Sequence, residues 1–235
     1  MSMRRMGTGR FTTVGGIAAI TGALLAIAGN AVVLAAQPNA PAHVVSYPLS
    51  PHDFRLGQVF FAFTQALTAL GIVALVRSGI AGPGRRARVG ARLAVAGFLL
   101  TIPGELVLAL VADAATDSGR ASAASSVFGI GVLLADLGLI LFGVSALRAA
   151  VWPRSWAALP LALGVFQLVV VTPVALGAGF ASVAAFLVIT AQDLLVALLG
   201  WQLVRTIETV KGAFVDRALA AAAVRTRSRA ADQRP

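Results

Sequence analysis

Six long apolar runs constrain what this chain can fold into more than any other feature. They occupy residues 14–36, 57–77, 91–112, 127–147, 156–177 and 181–204. A hydrocarbon core about 30 Å thick is crossed by about 20 helical residues, because each residue of an α-helix advances about 1.5 Å. Each run is long enough for one crossing. The sequence therefore predicts an all-α, polytopic transmembrane helical bundle of six spans.

The basic residues predict how these spans are oriented. Of the 19 Lys and Arg residues, only Arg55 and Arg120 fall in the alternate segments 37–56, 113–126 and 178–180. Positively charged loops stay in the cytoplasm, so the other segments and both termini are predicted to be cytoplasmic. The predicted organisation is a six-span membrane domain, residues 1–205, followed by a basic cytoplasmic tail, residues 206–235. The expected location is the plasma membrane, with multiple passes.

Composition excludes an ordinary soluble domain. Apolar residues make up 58% of the chain and charged residues 12%, whereas soluble domains carry about 25% charged residues. The net charge of +10 lies in short segments beside the runs, where it orients insertion and meets anionic lipids of the inner leaflet. Lipid is therefore the expected partner, and nucleic acid is not. The chain contains no cysteine, which excludes disulfides and thiol chemistry.

Polar residues inside the runs form the candidate functional site. Three are acids near the middle of a run or about one turn from it, and three are amides that add hydrogen-bonding groups near the same depth. The predicted intramembrane polar site consists of Glu105, Asp136, Asp193, Gln65, Gln167 and Gln192.

These acids must be sheltered from lipid. An ionised Asp at the centre of a membrane helix costs about 2.5–3.5 kcal/mol on insertion scales. No Lys or Arg lies at the same depth in any run, so the acids are expected to face the bundle interior and to be neutral much of the time. Three interpretations stay open at this point: a proton or cation path, a polar pocket for a small substrate, and a structural polar layer that holds the helices together.

Motifs for catalysis and for cofactors are missing from the sequence. The aspartates lack the Gly-x-Gly-Asp context of intramembrane aspartyl proteases, and there is no His in any run to ligate haem. His43 and His52 lie in the segment between the first two runs, where loop and helix-capping roles are expected rather than a metal site. The sequence therefore predicts no catalytic residue, no metal site and no cofactor, and an enzyme is not favoured.

Short motifs in the first three runs resemble a known group of proteins. They are the stretch Ser46-Tyr47-Pro48-Leu49-Ser50-Pro51-His52-Asp53-Phe54, the segment 71–79 that ends Leu75-Val76-Arg77-Ser78-Gly79, and the pair Glu105-Leu106. With these motifs the chain resembles a family of small, uncharacterised six-span membrane proteins of actinobacteria. The family has no assigned activity, so the resemblance implies topology and lineage and no site residue.

Two functions are consistent with this pattern. The favoured one is a small transporter or ion-coupled permease that uses the central layer of acids and amides. The alternative is a non-catalytic membrane protein that assembles with a partner or with copies of itself. In that alternative the intramembrane polar residues are structural, and a ridge of small residues in the first run, formed by Ala18, Gly22 and Ala26, is the contact surface.

Overall fold

The computed structural model describes residues 3–206, with side chains described from residue 9 onward. Within this range the chain is all-helical, and the prediction of six helices long and apolar enough to cross a membrane is confirmed. No β-strand forms among the described residues, and the predicted basic tail lies outside them beyond residue 206. The helices are α1 Met3–Ala35, α2 Pro51–Arg77, α3 Arg85–Leu110, α4 Gly119–Ala149, α5 Arg154–Ala178 and α6 Val183–Thr206.

Several helices extend beyond the predicted apolar runs. The third apolar run was predicted to begin at residue 91, but α3 already begins at Arg85, so Arg86 and Arg88 lie in its first turn. Arg has a high helix propensity, and its long side chain can carry the charge away from the apolar region. Hydropathy detects the part of a helix that fits the hydrocarbon core, whereas the backbone stays helical into the more polar layer beyond it.

Glycines bring α3 and α4 into very close contact. Gly90, Gly97 and Gly104 recur every seven residues on α3, and Gly131 and Gly138 have the same spacing on α4. An added Cβ atom on Gly97 would lie 2.2 Å from the backbone nitrogen of the facing alanine on α4, Ala135. Residues seven apart lie two turns apart on nearly the same side of a helix. This spacing therefore repeats a glycine on the side of each helix where the two backbones meet.

Helix α1 packs against both α2 and α6. An added Cβ atom on Gly22 would lie 3.0 Å from the Leu67 side chain of α2, and one on Gly16 would lie 2.6 Å from the carbonyl oxygen of Gly200 on α6. Ala18 is also buried. Gly22 and Ala18 of the predicted ridge are therefore covered within this chain, whereas Ala26 is only partly buried.

Helix α5 changes its hydrogen-bond pattern in the middle. Residues Gln167–Val171 form a π-helical turn, in which the N–H of Thr172 donates to the carbonyl of Gln167, five residues earlier. Pro173 follows immediately and cannot donate to the carbonyl of Val169, four residues earlier, with which its ring would also clash. The wider turn accommodates this proline without ending the helix.

Two connecting segments are joined to each other at the end of the bundle where α3 ends and α4 begins. The N–H of Val45 donates to the carbonyl of Ala114 at 3.0 Å, and the N–H of Thr116 donates to the carbonyl of His43 at 2.8 Å. Val44 and Ala115 form an isolated antiparallel bridge. The segment between α1 and α2 is thus held against the segment between α3 and α4, and we call this pair of segments the cap.

Candidate functional site

Glu105 and Gln65 form a polar pair between α3 and α2. Glu105 is 7% exposed, and its carboxyl group lies within hydrogen-bonding reach of the Gln65 side chain. The pair depends on local helix geometry. Gly104, next to Glu105, faces α4 at Phe128, and Glu105 is turned by about 100° from it around the helix. This rotation directs Glu105 to the neighbouring α2 and away from lipid.

Asp136 of α4 is buried without a comparable partner. Its side chain is 3% exposed, and its Oδ2 atom is buried and accepts no hydrogen bond within the described part of the chain. The backbone at this position is crowded by α5, because an added Cβ atom on Gly164 would lie 2.6 Å from the Asp136 carbonyl oxygen. Asp136 is therefore fixed at the contact between α4 and α5 while one carboxyl oxygen stays unpaired.

Helix α6 contributes three further polar side chains to this region. Gln192 donates from Nε2 to the carbonyl of Leu163 on α5 at 3.3 Å, while its Oε1 atom is buried without a partner. Leu163 is the residue before Gly164, so Gln192 reaches the part of α5 that also contacts Asp136. Asp193 and Thr190 have buried Oδ2 and Oγ1 atoms that likewise lack a hydrogen-bond partner.

The acids lie at two levels along the α3–α4 pair. The close contacts match Gly97 with Ala135 and Gly104 with Phe128, so the two helices run antiparallel in a fixed register. In this register Glu105 is level with the residue before Phe128, which is nine residues from Asp136 along α4. At about 1.5 Å per residue the axial separation is about 13 Å. Glu105 and Asp136 are therefore not direct neighbours along this interface.

Asp193 lies at about the same level in the bundle as Gln65, the residue that pairs with Glu105. The contact between Gly16 and Gly200 sets the register of α1 and α6, and it places Asp193 level with Ala23. The contact between Gly22 and Leu67 sets the register of α1 and α2, and it places Gln65 within about one residue of the same level. Asp193 is thus level with Gln65, while its neighbour Gln192 contacts α5.

Gln167 takes a different place from the other predicted residues. Its Nε2 atom lies 3.5 Å from the Thr172 Oγ1 atom across the π-helical turn, so it makes a contact within its own helix. The structure adds Thr190 and Gln58, whose buried Oγ1 and Oε1 atoms have no partner, to the residues named from the sequence. Both are uncharged residues in apolar runs, and their type alone did not separate them from ordinary packing residues. Pro173 was the sequence signal that could have located the π-helical turn.

The unpaired groups of α4 and α6 share one chemical property. The four atoms are oxygens, namely Oδ2 of Asp136, Oγ1 of Thr190, Oε1 of Gln192 and Oδ2 of Asp193. Oxygen ligands bind protons and hard cations, whereas soft metals prefer sulfur or imidazole. Among residues 3–206 no group of three His, Cys, Asp or Glu side chains is placed to hold a metal ion.

The fold and this site define the class of the molecule. It is a multi-pass helical membrane protein with ionisable side chains buried between its spans. Comparison with protein-family models, with curated proteins and with solved structures finds no match. Function is therefore argued below from the geometry of the chain alone.

Proposed function

We propose that this protein is a small plasma-membrane transporter or ion-coupled permease that moves protons or small cations along the polar groups of helices α4, α5 and α6. The observation that carries the proposal is the set of four buried, unpaired oxygen atoms on α4 and α6. Acids inside membrane spans are costly, and they mark ion pathways and proton relays in membrane proteins. A carboxylate that binds and releases a cation needs an oxygen that is not already occupied by a protein donor.

A purely structural role accounts less well for these atoms. Polar groups that hold helices together do so by hydrogen bonds between the helices, worth about 0.6–2 kcal/mol each in membranes. Gln65 and Glu105 fit that description, as does the bond from Gln192 to α5. Asp136 and Asp193 do not, because the Oδ2 atom of each is buried and receives no donor. Buried unpaired groups in folded proteins require a specific explanation, and ion binding supplies one.

The charge distribution supports an orientation with both termini in the cytoplasm. All Arg residues described with side chains, apart from Arg55 and Arg120, lie at the end of the bundle where α1 begins and α6 ends, and no described Asp or Glu lies there. Trp156 and Trp201 meet edge to face near this end, with the Arg205 guanidinium 4.4 Å from the Trp201 ring centre. Tryptophan beside basic residues is typical of the boundary between lipid and cytoplasm.

The test is ion flux in proteoliposomes made with the purified full-length chain. Proton uptake is followed with a trapped pH-sensitive dye under an imposed potassium diffusion potential, and sodium and potassium uptake are followed separately. We expect Asp136→Asn and Asp193→Asn to fold and to abolish the flux, because each amide keeps the shape of the side chain but cannot ionise. Asp117→Asn is the matched control, since it makes the same change at an exposed outer-loop acid.

The result that contradicts the proposal is equally specific. Flux in the Asp136→Asn/Asp193→Asn double variant equal to that of the wild type would exclude the acids as the transport site. A wild-type protein that conducts none of the three cations would exclude proton or alkali-cation transport.

A further inference from the structure

A second set of polar groups lies between α2 and α3, nearer the cap than Asp136. Arg55 of α2 pairs with Asp113, just beyond the end of α3, at the surface under the cap. Gln58 and Gln65 lie three and ten residues after Arg55, on one side of α2. Gln65 reaches Glu105 on α3. The α2–α3 seam, defined as Arg55, Gln58, Gln65, Glu105 and Asp113, thus runs from the surface to a buried acid.

The middle of the seam is polar but unsatisfied. The Gln58 Oε1 atom is buried and accepts no hydrogen bond within the described residues, although Gln58 lies only about 10 Å of helix rise below the start of α2. The neighbouring residues of the seam, Ala62 of α2 and Ala109 of α3, have small side chains and are both buried. An unpaired amide oxygen between small side chains is a group that water or a cation can bind when it enters.

The cap closes the outer end of this seam. Ser46 of the cap is fully buried, and its N–H donates to the carbonyl of Ala112, in the other cap segment, at 3.2 Å. The Ser46 Oγ atom is a further buried oxygen without a partner. Ala112 precedes Asp113, so the bond from the cap and the ion pair with Arg55 meet at the same place. Backbone hydrogen bonds and one exposed ion pair, whose side chains are 45% and 67% exposed, join the two segments at this end.

We propose that the α2–α3 seam is the outer entrance for the transported cation and that Glu105 is the first buried acid the cation meets. This inference rests on the proposed transport function. It assigns separate tasks to the acids: Glu105 receives the cation from the outer side, and Asp193 and Asp136 hold it further along the path. Gln58 lines the entrance, and the cap with the Arg55–Asp113 pair covers it.

The absence of cysteine from the chain allows a direct test of water access. Single variants Gln58→Cys and Ala62→Cys are placed in the seam. Val59→Cys and Phe63→Cys are their matched controls, since each lies one residue further along α2 and its native side chain is 56% exposed on the outside of the bundle. The full-length proteins in vesicles are treated from outside with a membrane-impermeant trimethylammonium methanethiosulfonate. We expect both seam cysteines to react well above their controls, with Asp117→Cys giving the rate of a fully accessible loop.

The charge of the reagent tests the role of Glu105. The trimethylammonium reagent should react with Gln58→Cys faster than the sulfonate reagent of the same chemistry, after both are normalised to Asp117→Cys. A preference of about tenfold corresponds to about 1.4 kcal/mol of attraction. At a pH high enough to ionise Glu105, adding Glu105→Gln should remove this preference while Gln58→Cys still reacts, because the amide keeps the side-chain shape and cannot carry the charge.

The outcomes separate this inference from the transport proposal. Seam cysteines that react no faster than Val59→Cys and Phe63→Cys would overturn the entrance, even if Asp136→Asn and Asp193→Asn block ion flux. Reaction in the seam with no preference for the cationic reagent would overturn the role of Glu105. Reactive, cation-selective seam cysteines in a protein that conducts no ion would support the entrance and contradict transport.

Discussion

At the level of single residues, the buried acids fall into two kinds. Glu105 has Gln65 as a neighbour, whereas the Oδ2 atoms of Asp136 and Asp193 have no hydrogen-bond donor. A satisfied buried polar group contributes to stability, but an unsatisfied one lowers it. Stability and function are therefore expected to diverge at Asp136, where the folded state keeps an unfavourable group that the proposed transport requires.

This difference predicts opposite responses to truncation. Glu105→Ala leaves the half-buried Gln65 amide without its partner, so we expect a loss of about 1–3 kcal/mol in stability. Asp136→Ala removes an unpaired carboxyl group and leaves no donor behind, so we expect little loss or a gain. Thermal unfolding in detergent measures both. A destabilisation by Asp136→Ala as large as that by Glu105→Ala would show that Asp136 is a structural residue.

At the level of helices, the α3–α4 contact is the most sharply determined part of the fold. Glycine is usually unfavourable inside helices by about 0.8–1.0 kcal/mol relative to alanine. In the α3–α4 pair glycine is instead favoured over alanine, because a Cβ atom at Gly97 or Gly138 would meet the backbone of the facing helix at 2.2 Å or 2.1 Å. Neither backbone can move aside as a flexible side chain would.

The matched pair Gly97→Ala and Gly129→Ala tests this contact. We expect Gly97→Ala to destabilise the protein by about 1–3 kcal/mol through overpacking. An added Cβ atom on Gly129 would meet nothing within 4 Å, so Gly129→Ala should be neutral or slightly stabilising. Unfolding temperatures in detergent compare them directly. Equal temperatures for the two variants would mean that α3 and α4 do not pack as described.

The helices also show how far the sequence determines the fold. The six apolar runs predict the number and order of the spans, because hydrocarbon thickness sets a length that hydropathy can detect. Their ends are less predictable, since residues such as Arg85 and Arg88 continue α3 without contributing hydropathy. The π-helical turn at Gln167–Val171 was not predicted, because it follows from where the backbone must yield next to Pro173.

At the level of the whole molecule, the positions of the buried acids relative to one another could not be predicted from the sequence. The sequence identifies Glu105, Asp136 and Asp193 as costly groups that must be sheltered, but it suggests one common depth for them. The α3–α4 register instead separates Glu105 from Asp136 by about 13 Å. That separation depends on helix stagger, which small-residue contacts between distant segments decide, and a single run of residues carries no information about it.

The distribution of charge over the whole molecule predicts its orientation. Reporter fusions after Pro41 and after Asp117 should report an external position, and fusions after Gly84 and at Pro235 should report a cytoplasmic one. The physical reason is that basic segments resist translocation, and Arg85, Arg86 and Arg88 lie just after Gly84. Alkaline phosphatase and a fluorescent protein provide opposite readouts for each position. A cytoplasmic signal after Pro41 would show that α1 does not cross.

The seven-residue spacing of glycines has a consequence for ancestry. Most positions of a lipid-facing helix can exchange one apolar residue for another, so overall similarity between relatives decays quickly. The glycines at 90, 97 and 104 and at 131 and 138 cannot be exchanged in this way, because each stands where two backbones meet. Descendants of a common ancestor that keep this pair of helices should therefore keep two glycine series at the same interval. The glycine spacing should therefore stay recognisable in relatives whose other residues have diverged.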